Sequence, residues 1–182
     1  DINKVKEKYG APNRDGLIDY ISHCKRNFAP GSDMTYSCLN FITLQRIIET
    51  VSGEDLQQYA HHHVFDVLGM KDTDYNPSKE MAKHCAPTEK QANGKCLLGY
   101  VHDPLAGIMN GGISGNAGVF TTADDVAILC AALQNGGEWN GHRIPSPLAV
   151  KAMRTVPRAR AEWGRALGWD VWSPYANNTG DL

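Results

Sequence analysis

The chain has 182 residues, 42% of them hydrophobic and 21% charged, with a formal net charge of −2. That length and apolar content describe one globular domain with enough hydrophobic residues for a core. The basic residues are scattered, with Lys25-Arg26 and Arg158-Ala159-Arg160 as the only small clusters, so there is no electrostatic footprint for nucleic acid.

Apolar runs fall well short of the roughly 20 residues a membrane-spanning helix requires. In chain order, Leu17, Ile21, Cys24 and Phe28 recur at helical spacing, which predicts a helix from about Asp15 to Asn27, ended by Ala29-Pro30-Gly31. A second helix runs from Leu39 to Val51 with Leu44, Ile47, Ile48 and Val51 as its apolar stripe, closed by Ser52-Gly53. A third follows, with Leu56, Tyr59, Ala60, His63, Val64, Val67 and Leu68 inward and Gly69 as its stop. Residues 71 to 100 are punctuated by Asp, Asn, Pro and Gly and read as loops, with one short strand near Cys96 to Val101.

A short helix near Pro104 to Met109 precedes Gly111-Gly112-Ile113-Ser114-Gly115-Asn116-Ala117-Gly118, a loop that needs unusual dihedrals or close backbone approach. Thr122 then caps a helix with Val126, Leu129, Cys130 and Leu133 inward and Gly136-Gly137 beyond its end. Ser146-Pro147 starts another helix, and Ala166 to Trp172 reads as a strand cut off by Pro174. The fold class expected is mainly α with minor β.

The blocks Pro30-Gly31-Ser32-Asp33-Met34-Thr35-Tyr36-Ser37, Asn40-Phe41, Ile47-Ile48-Glu49, Val51-Ser52-Gly53 and Leu68-Gly69-Met70 resemble the serine beta-lactamase and penicillin-binding-protein superfamily. Ala86-Pro87-Thr88-Glu89, Val101-His102-Asp103, Gly111-Gly112, Gly115 to Asp125 and Leu167-Gly168-Trp169-Asp170 continue the resemblance in the same order, closest to the class C-like esterase branch. It implies the helical domain of a beta-lactamase-like (α+β) serine hydrolase. Three elements are then needed: a Ser-x-x-Lys opening a helix, a Tyr-x-Asn or its variant, and a Lys-Thr-Gly or His-Thr-Gly on a strand edge. Only the second is found in place.

The resemblance implies that Tyr36 moves the proton of an acylating serine. Cys38 stands where the family's Asn would hydrogen-bond substrate, and a thiol is a weak donor and acceptor. Asn40 reads as a first-turn or packing residue. In the family the Gly115 to Gly118 loop lines the pocket mouth, which makes Asn116 and Ala117 candidate substrate-binding residues, with Asn116 where a His often sits. The other reading of that stretch is a glycine-rich turn in which Asn tolerates a left-handed backbone. No cofactor is implied.

Ser22-His23-Cys24-Lys25 also spells Ser-x-x-Lys, but Ser22 falls mid-helix in this reading, where its backbone N–H is already bonded, and it lies too close in sequence to Tyr36. Asn178-Thr179-Gly180 has Asn where a cation or imidazole is wanted and reads as a turn. His102-Asp103 reads as a loop fixed by side-chain hydrogen bonds. His61-His62-His63 is read as helix surface plus one inward His, because consecutive helical residues diverge, and the five cysteines lack the paired short spacing of a zinc site or disulfide framework.

The chain begins at Asp1 without an initiator Met or leader and stops at Gly180-Asp181-Leu182, so residues 1–182 read as a single partial domain of a parent that extends at both ends. The nucleophile would lie upstream of Asp1. The implied substrates are esters, D-amino-acid peptides or beta-lactams, and the implied location is periplasmic or extracellular. The competing function is a catalytically inactive module binding cell-wall fragments or a protein partner. An exposed apolar face, and with it self-association, is expected of a helical half-domain cut from its sheet.

Overall fold

The computed structural model describes residues 2–172. Its backbone forms two compact units, Asp1–Asp125 and Val126–Leu182, each described by itself below.

The first unit is built on three helices: α1 (Ile2–Tyr9), α2 (Arg14–Ser22) and α3 (Cys38–Ser52). Helix α1 is absent from the sequence expectations, because Lys4, Lys6, Glu7 and Lys8 hide its periodicity and Val5 is its one buried residue. Val5 joins Leu17, Ile42 and Met109 in the core, with Tyr9, Ile18, Ile21, Leu39, Leu105 and Ile108 packed around them. Each fully buried side chain of this size contributes about 2 kcal/mol of transfer free energy.

Helix α2 is capped by Asn13, whose Oδ1 accepts from the Gly16 amide at 2.7 Å. It ends at Ser22, five residues before the expected Asn27, so Ser22 is the last residue of the helix and not a mid-helix residue. Helix α3 matches its expected span and is capped by Ser37 at one end and left-handed Gly53 at the other. Its inward face differs from the expected stripe. Ile42 and Gln45 are buried, whereas Leu44, Ile47 and Val51 are 50, 52 and 83% exposed. The apolar stripe faces away from the described core, and the exposed apolar face expected from the sequence is this one.

The third expected helix is broken in phase. A regular segment α4 (Leu56–Ala60), opened by an Asp55/Gln58 capping box, runs into a π-helical turn, His61–Phe65, before a short α5 (Asp66–Leu68) stopped by Gly69. The wider turn rotates the histidines, so that His61, and not the expected His63, is the partly buried one, packing edge-on against Phe65. His62 and His63 do not diverge: both reach Glu54, at 2.6 and 3.2 Å.

His61 bridges Asp66 and Asp74, with Nδ1 and Nε2 each 3.0 Å from a carboxylate oxygen. The bond to Asp66, reinforced by Asp74 and opposed by partial burial, holds its pKa above the ordinary 6.5. A raised folded-state value means the contribution to stability is complete below about pH 6.5 and is lost as pH rises through the folded value. The thermal midpoint of the chain is therefore expected to fall from pH 6 to pH 8 by more than that of a His61→Gln variant. Equal falls in the two proteins would contradict the bridge.

Strand β1 (Asp74–Tyr75) pairs antiparallel with β4 (Val119–Phe120), and β2 (Glu89–Lys90) with β3 (Cys96–Leu97); a short helix α6 (Lys79–Ala82) lies between β1 and β2. The expected strand near Cys96 is thus half of a hairpin, and the expected helix near Pro104 is a π-helical turn, Leu105–Met109.

The boundary between units falls in the first turn of α7 (Ala123–Gln134), whose Asp125 amide donates to Thr122 Oγ1 as the capping pattern predicted. In the second unit Ala132, Leu133 and Val150 are buried, while Val126 and Cys130, expected inward, are exposed. The chain reverses at Gly136-Gly137, forms the hairpin β5 (Glu138–Trp139) to β6 (His142–Arg143), and enters α8 (Pro147–Arg154) capped by Ser146. Ala166 to Trp172 is not a strand: left-handed Gly168 turns the chain so that the Ala166 amide donates to Trp169 O at 2.9 Å. Pro174 and the expected turn at Asn178-Thr179-Gly180 lie outside the described residues. Among the described residues, no helix is long and apolar enough to cross a membrane.

Candidate functional site

Tyr36 sits two residues before α3, 54% exposed, in the extended stretch that follows Pro30-Gly31. Ser37 Oγ accepts from the Leu39 amide at 3.3 Å, which fixes the helix start and makes Cys38 its first residue. A cavity of about 390 Å³ opens here, lined by Arg26, Asn27, Phe28, Pro30, Thr35, Tyr36, Ser37 and Asn40. Asn40 lies in the first helical turn, where it was expected, and also walls this cavity. Cys38 is partly buried and free, and it is not one of the lining residues.

The glycine-rich loop is seated on the next turn of the same helix. A Cβ on Gly115 would stand 2.2 Å from Phe41 O and 3.1 Å from Gln45 Cβ, so only glycine permits this approach. Gln45, 3% exposed, accepts from the Gly115 amide at 3.1 Å and donates to Ile113 O at 3.1 Å. Ser114 Oγ donates to Asn116 Oδ1 at 2.7 Å, and the Ala117 amide to Ser114 O at 3.3 Å. Among the described residues the non-glycines with left-handed backbone are Asn76 and Asn140, so tolerance of that conformation is not why Asn stands at position 116. The loop carrying Asn116 and Ala117 therefore rests on the helix that Tyr36 and Cys38 introduce, but neither residue lines the cavity beside Tyr36.

A second tyrosine lies near the loop. Gly118 packs against the ring of Tyr75, but burial pushes the Tyr75 phenol up to about 12, which unsuits it for proton transfer near neutral pH.

Ser22 is bonded locally. Its hydroxyl donates to Asp19 O at 2.8 Å and lies 3.0 Å from His23 Nδ1. The same Nδ1 faces Asp19, so these three residues spell a triad without forming one, since a relay uses opposite ring nitrogens. Asp103 Oδ1 accepts from the Ala106 amide at 2.8 Å and so fixes the loop by a side-chain hydrogen bond, whereas His102 Nε2 stands 3.7 Å from Glu89 Oε1, beyond hydrogen-bond reach. Among the described residues no group of three or more His, Cys, Asp or Glu side chains is arranged to hold a metal ion.

Arg26, Asn27 and Phe28 read from the sequence as a small basic cluster and the end of a helix and not as site residues, and the buried polar residues Gln45, Asn110 and Ser114 carry no site reading either. The one available signal was Gln45 followed by Glu49 four residues on, a polar pair on one helix face.

A family profile described as Beta-lactamase matches residues 4–180. An N-acetylmuramyl-L-alanine amidase of Bacillus subtilis (strain 168) is 32% identical over 176 residues, covering 89% of this chain and 40% of the relative. A protein of Escherichia coli (strain K12) provisionally named D-alanyl-D-alanine carboxypeptidase is 30% identical over 168 residues, covering 85% of this chain and 38% of the relative. The chain therefore spans about two fifths of the length of these relatives. Among solved structures, the octameric penicillin-binding protein homologue from Pyrococcus abyssi superposes with a TM-score of 0.59 at 19% identity, over 81% of this chain and 32% of that one, which is a likeness of fold. The order of motifs around Tyr36 and the glycine-rich loop, the match from residue 4 to residue 180 and the shared fold lead to one conclusion: this chain belongs to the beta-lactamase family, in the superfamily of serine beta-lactamases and penicillin-binding proteins.

Proposed function

We propose that this chain is the helical part of a class C-like serine hydrolase that works through an acyl-enzyme, and that its parent extends at both ends. The observation that carries this reading is the exposed Tyr36 phenol in a cavity at the capped start of α3, within a chain of this family. In the parent, a serine and lysine outside these residues supply nucleophile and base, Tyr36 moves the serine proton, and water releases the acyl group. Asn116 and Ala117 line the substrate side from the glycine-rich loop. Cys38, a weak hydrogen-bonding group where an amide would hold substrate, favours esters over amides. D-amino-acid peptides and beta-lactams are the other substrate classes, and a periplasmic or extracellular location goes with them. The bare Leu44, Ile47 and Val51 row supports self-association of this chain.

The test is incubation with a fluorophosphonate or a penicillin followed by intact-mass measurement. This chain gains no covalent adduct, and a version extended at both ends gains one. An extended protein that never reacts would favour a non-catalytic binding module instead.

A further inference from the structure

The buried polar residues behind the glycine-rich loop form one connected path. It starts at Glu49, whose Oε1 accepts from Arg14 Nη1 at 3.4 Å, from the Leu56 amide at 3.2 Å and from Gln45 Nε2 at 3.0 Å. Gln45 Oε1 accepts from Asn110 Nδ2 at 3.4 Å as well as from the Gly115 amide at 3.1 Å. Asn110 Nδ2 donates to Ser114 Oγ at 2.7 Å, and Ser114 Oγ donates to Asn116 Oδ1 at 2.7 Å. The path ends at Asn116 Nδ2, which is buried and has no hydrogen-bond partner among the described residues.

As far as Ser114, every direction along this path is set by groups that cannot reverse. A carboxylate and the Ile113 carbonyl only accept, so Gln45 must turn its NH₂ toward both. The Gly115 N–H only donates, so the Gln45 oxygen must face it. With that oxygen fixed, Asn110 presents its NH₂ to Gln45 and to Ser114. The Ser114 hydroxyl accepts from Asn110 and donates to Asn116 Oδ1. The Asn116 carboxamide is thereby oriented with oxygen inward and nitrogen away from the network. An unpaired buried N–H₂ is costly to keep. An acceptor oxygen brought to it would remove that cost.

We propose that Gln45 is a positioning residue, which clamps the glycine-rich loop to α3 and, through Asn110 and Ser114, fixes the Asn116 carboxamide as a hydrogen-bond donor. The group it would meet is an acceptor such as a carbonyl or carboxylate oxygen. That last step rests on the loop lining the substrate side of the proposed hydrolase site; the orientation itself does not.

The experiment reads the orientation on this chain by NMR, so it gives an answer whether or not the parent is an enzyme. Unmodified protein should show a protected Gly115 amide and one well-dispersed pair of Asn116 side-chain N–H₂ resonances. In Gln45→Leu the Gly115 amide should exchange at least about tenfold faster as the local closed state is lost, and the Asn116 pair should shift. Ser114→Ala removes the last two links, from Asn110 and to Asn116, and leaves Gln45 on Gly115 and Ile113, so the fold and the Gly115 protection persist while the Asn116 pair moves toward random-coil positions. Gln45→Glu keeps an acceptor oxygen but sets a carboxylate against the Glu49 carboxylate and the Ile113 carbonyl, so it should lose Gly115 protection as Gln45→Leu does. An Asn116 pair unmoved in Ser114→Ala, or Gly115 protection unchanged in folded Gln45→Leu, overturns the proposal. Missing acylation of the extended protein would instead count against the hydrolase reading and leave these resonances as they are.

Discussion

Tyr36→Phe, introduced into the extended protein, is expected to slow acylation by a fluorophosphonate or penicillin about 10²- to 10⁴-fold, the usual range for loss of a positioned proton-transfer group. The ring stays, so the cavity formed with Phe28, Pro30 and Thr35 keeps its apolar walls, and only the hydroxyl is lost. Reversible binding should accordingly change little while the rate of covalent capture collapses. Tyr75 should not substitute for it, because the buried phenol holds its proton up to about 12. Stopped-flow or timed intact-mass measurement gives the rate constant. An acylation rate within a factor of about three of the unmodified protein would remove Tyr36 from proton transfer.

A large loss of stability is expected from substitution at Gly115. An alanine there places a methyl carbon 2.2 Å from Phe41 O and 2.9 Å from Phe41 C, which are backbone atoms of α3 and cannot swing aside as a side chain would. The loop must lift instead, which breaks the Gly115 amide bond to Gln45 and loosens Ile113 on the same carboxamide. Overpacking together with a lost buried hydrogen bond corresponds to about 3 kcal/mol. Gly111→Ala is the matched control. Gly111 has a φ of +66° and nothing within 4 Å of its added Cβ, so that change carries only backbone strain of about 1 kcal/mol. Urea unfolding of the two variants should separate them clearly. Equal losses would mean that contact with α3 does not hold the loop.

Local chemistry made much of this fold readable in advance. Thr122 and Ser146 open α7 and α8, and Gly53, Gly69 and Gly136-Gly137 stop chain segments, because each acts through hydrogen bonds or dihedrals within a few residues. What needed distant partners was not readable. The widest apolar stripe of α3 was expected to face the core, yet a glutamine occupies that place because its four hydrogen bonds reach Glu49, Asn110, Ile113 and Gly115, three of them more than sixty residues away. The phase change at His61–Phe65 likewise follows from a π-helical turn that a 3.6-residue period cannot anticipate. Strands of two residues are too short for any alternation to register.

The same division holds at the site. Tyr36 and Cys38 stood out because a short motif opens directly into a helix, and Asn116 and Ala117 because four glycines mark their loop. Arg26 and Asn27 wall the Tyr36 cavity only because the chain folds back between α2 and α3, which nothing in their own neighbourhood signals. Ser22 is the opposite case, a motif in spelling whose hydroxyl is bonded to its own helix.

The role proposed for Tyr36, serving a nucleophile that is not among these residues, is tested by peptide mapping of the extended protein after fluorophosphonate labelling. One modified serine is expected, located outside this chain in a Ser-x-x-Lys sequence, with its labelling slowed by Tyr36→Phe and untouched by Ser22→Ala. A label on Ser22, lost in Ser22→Ala, would contradict it.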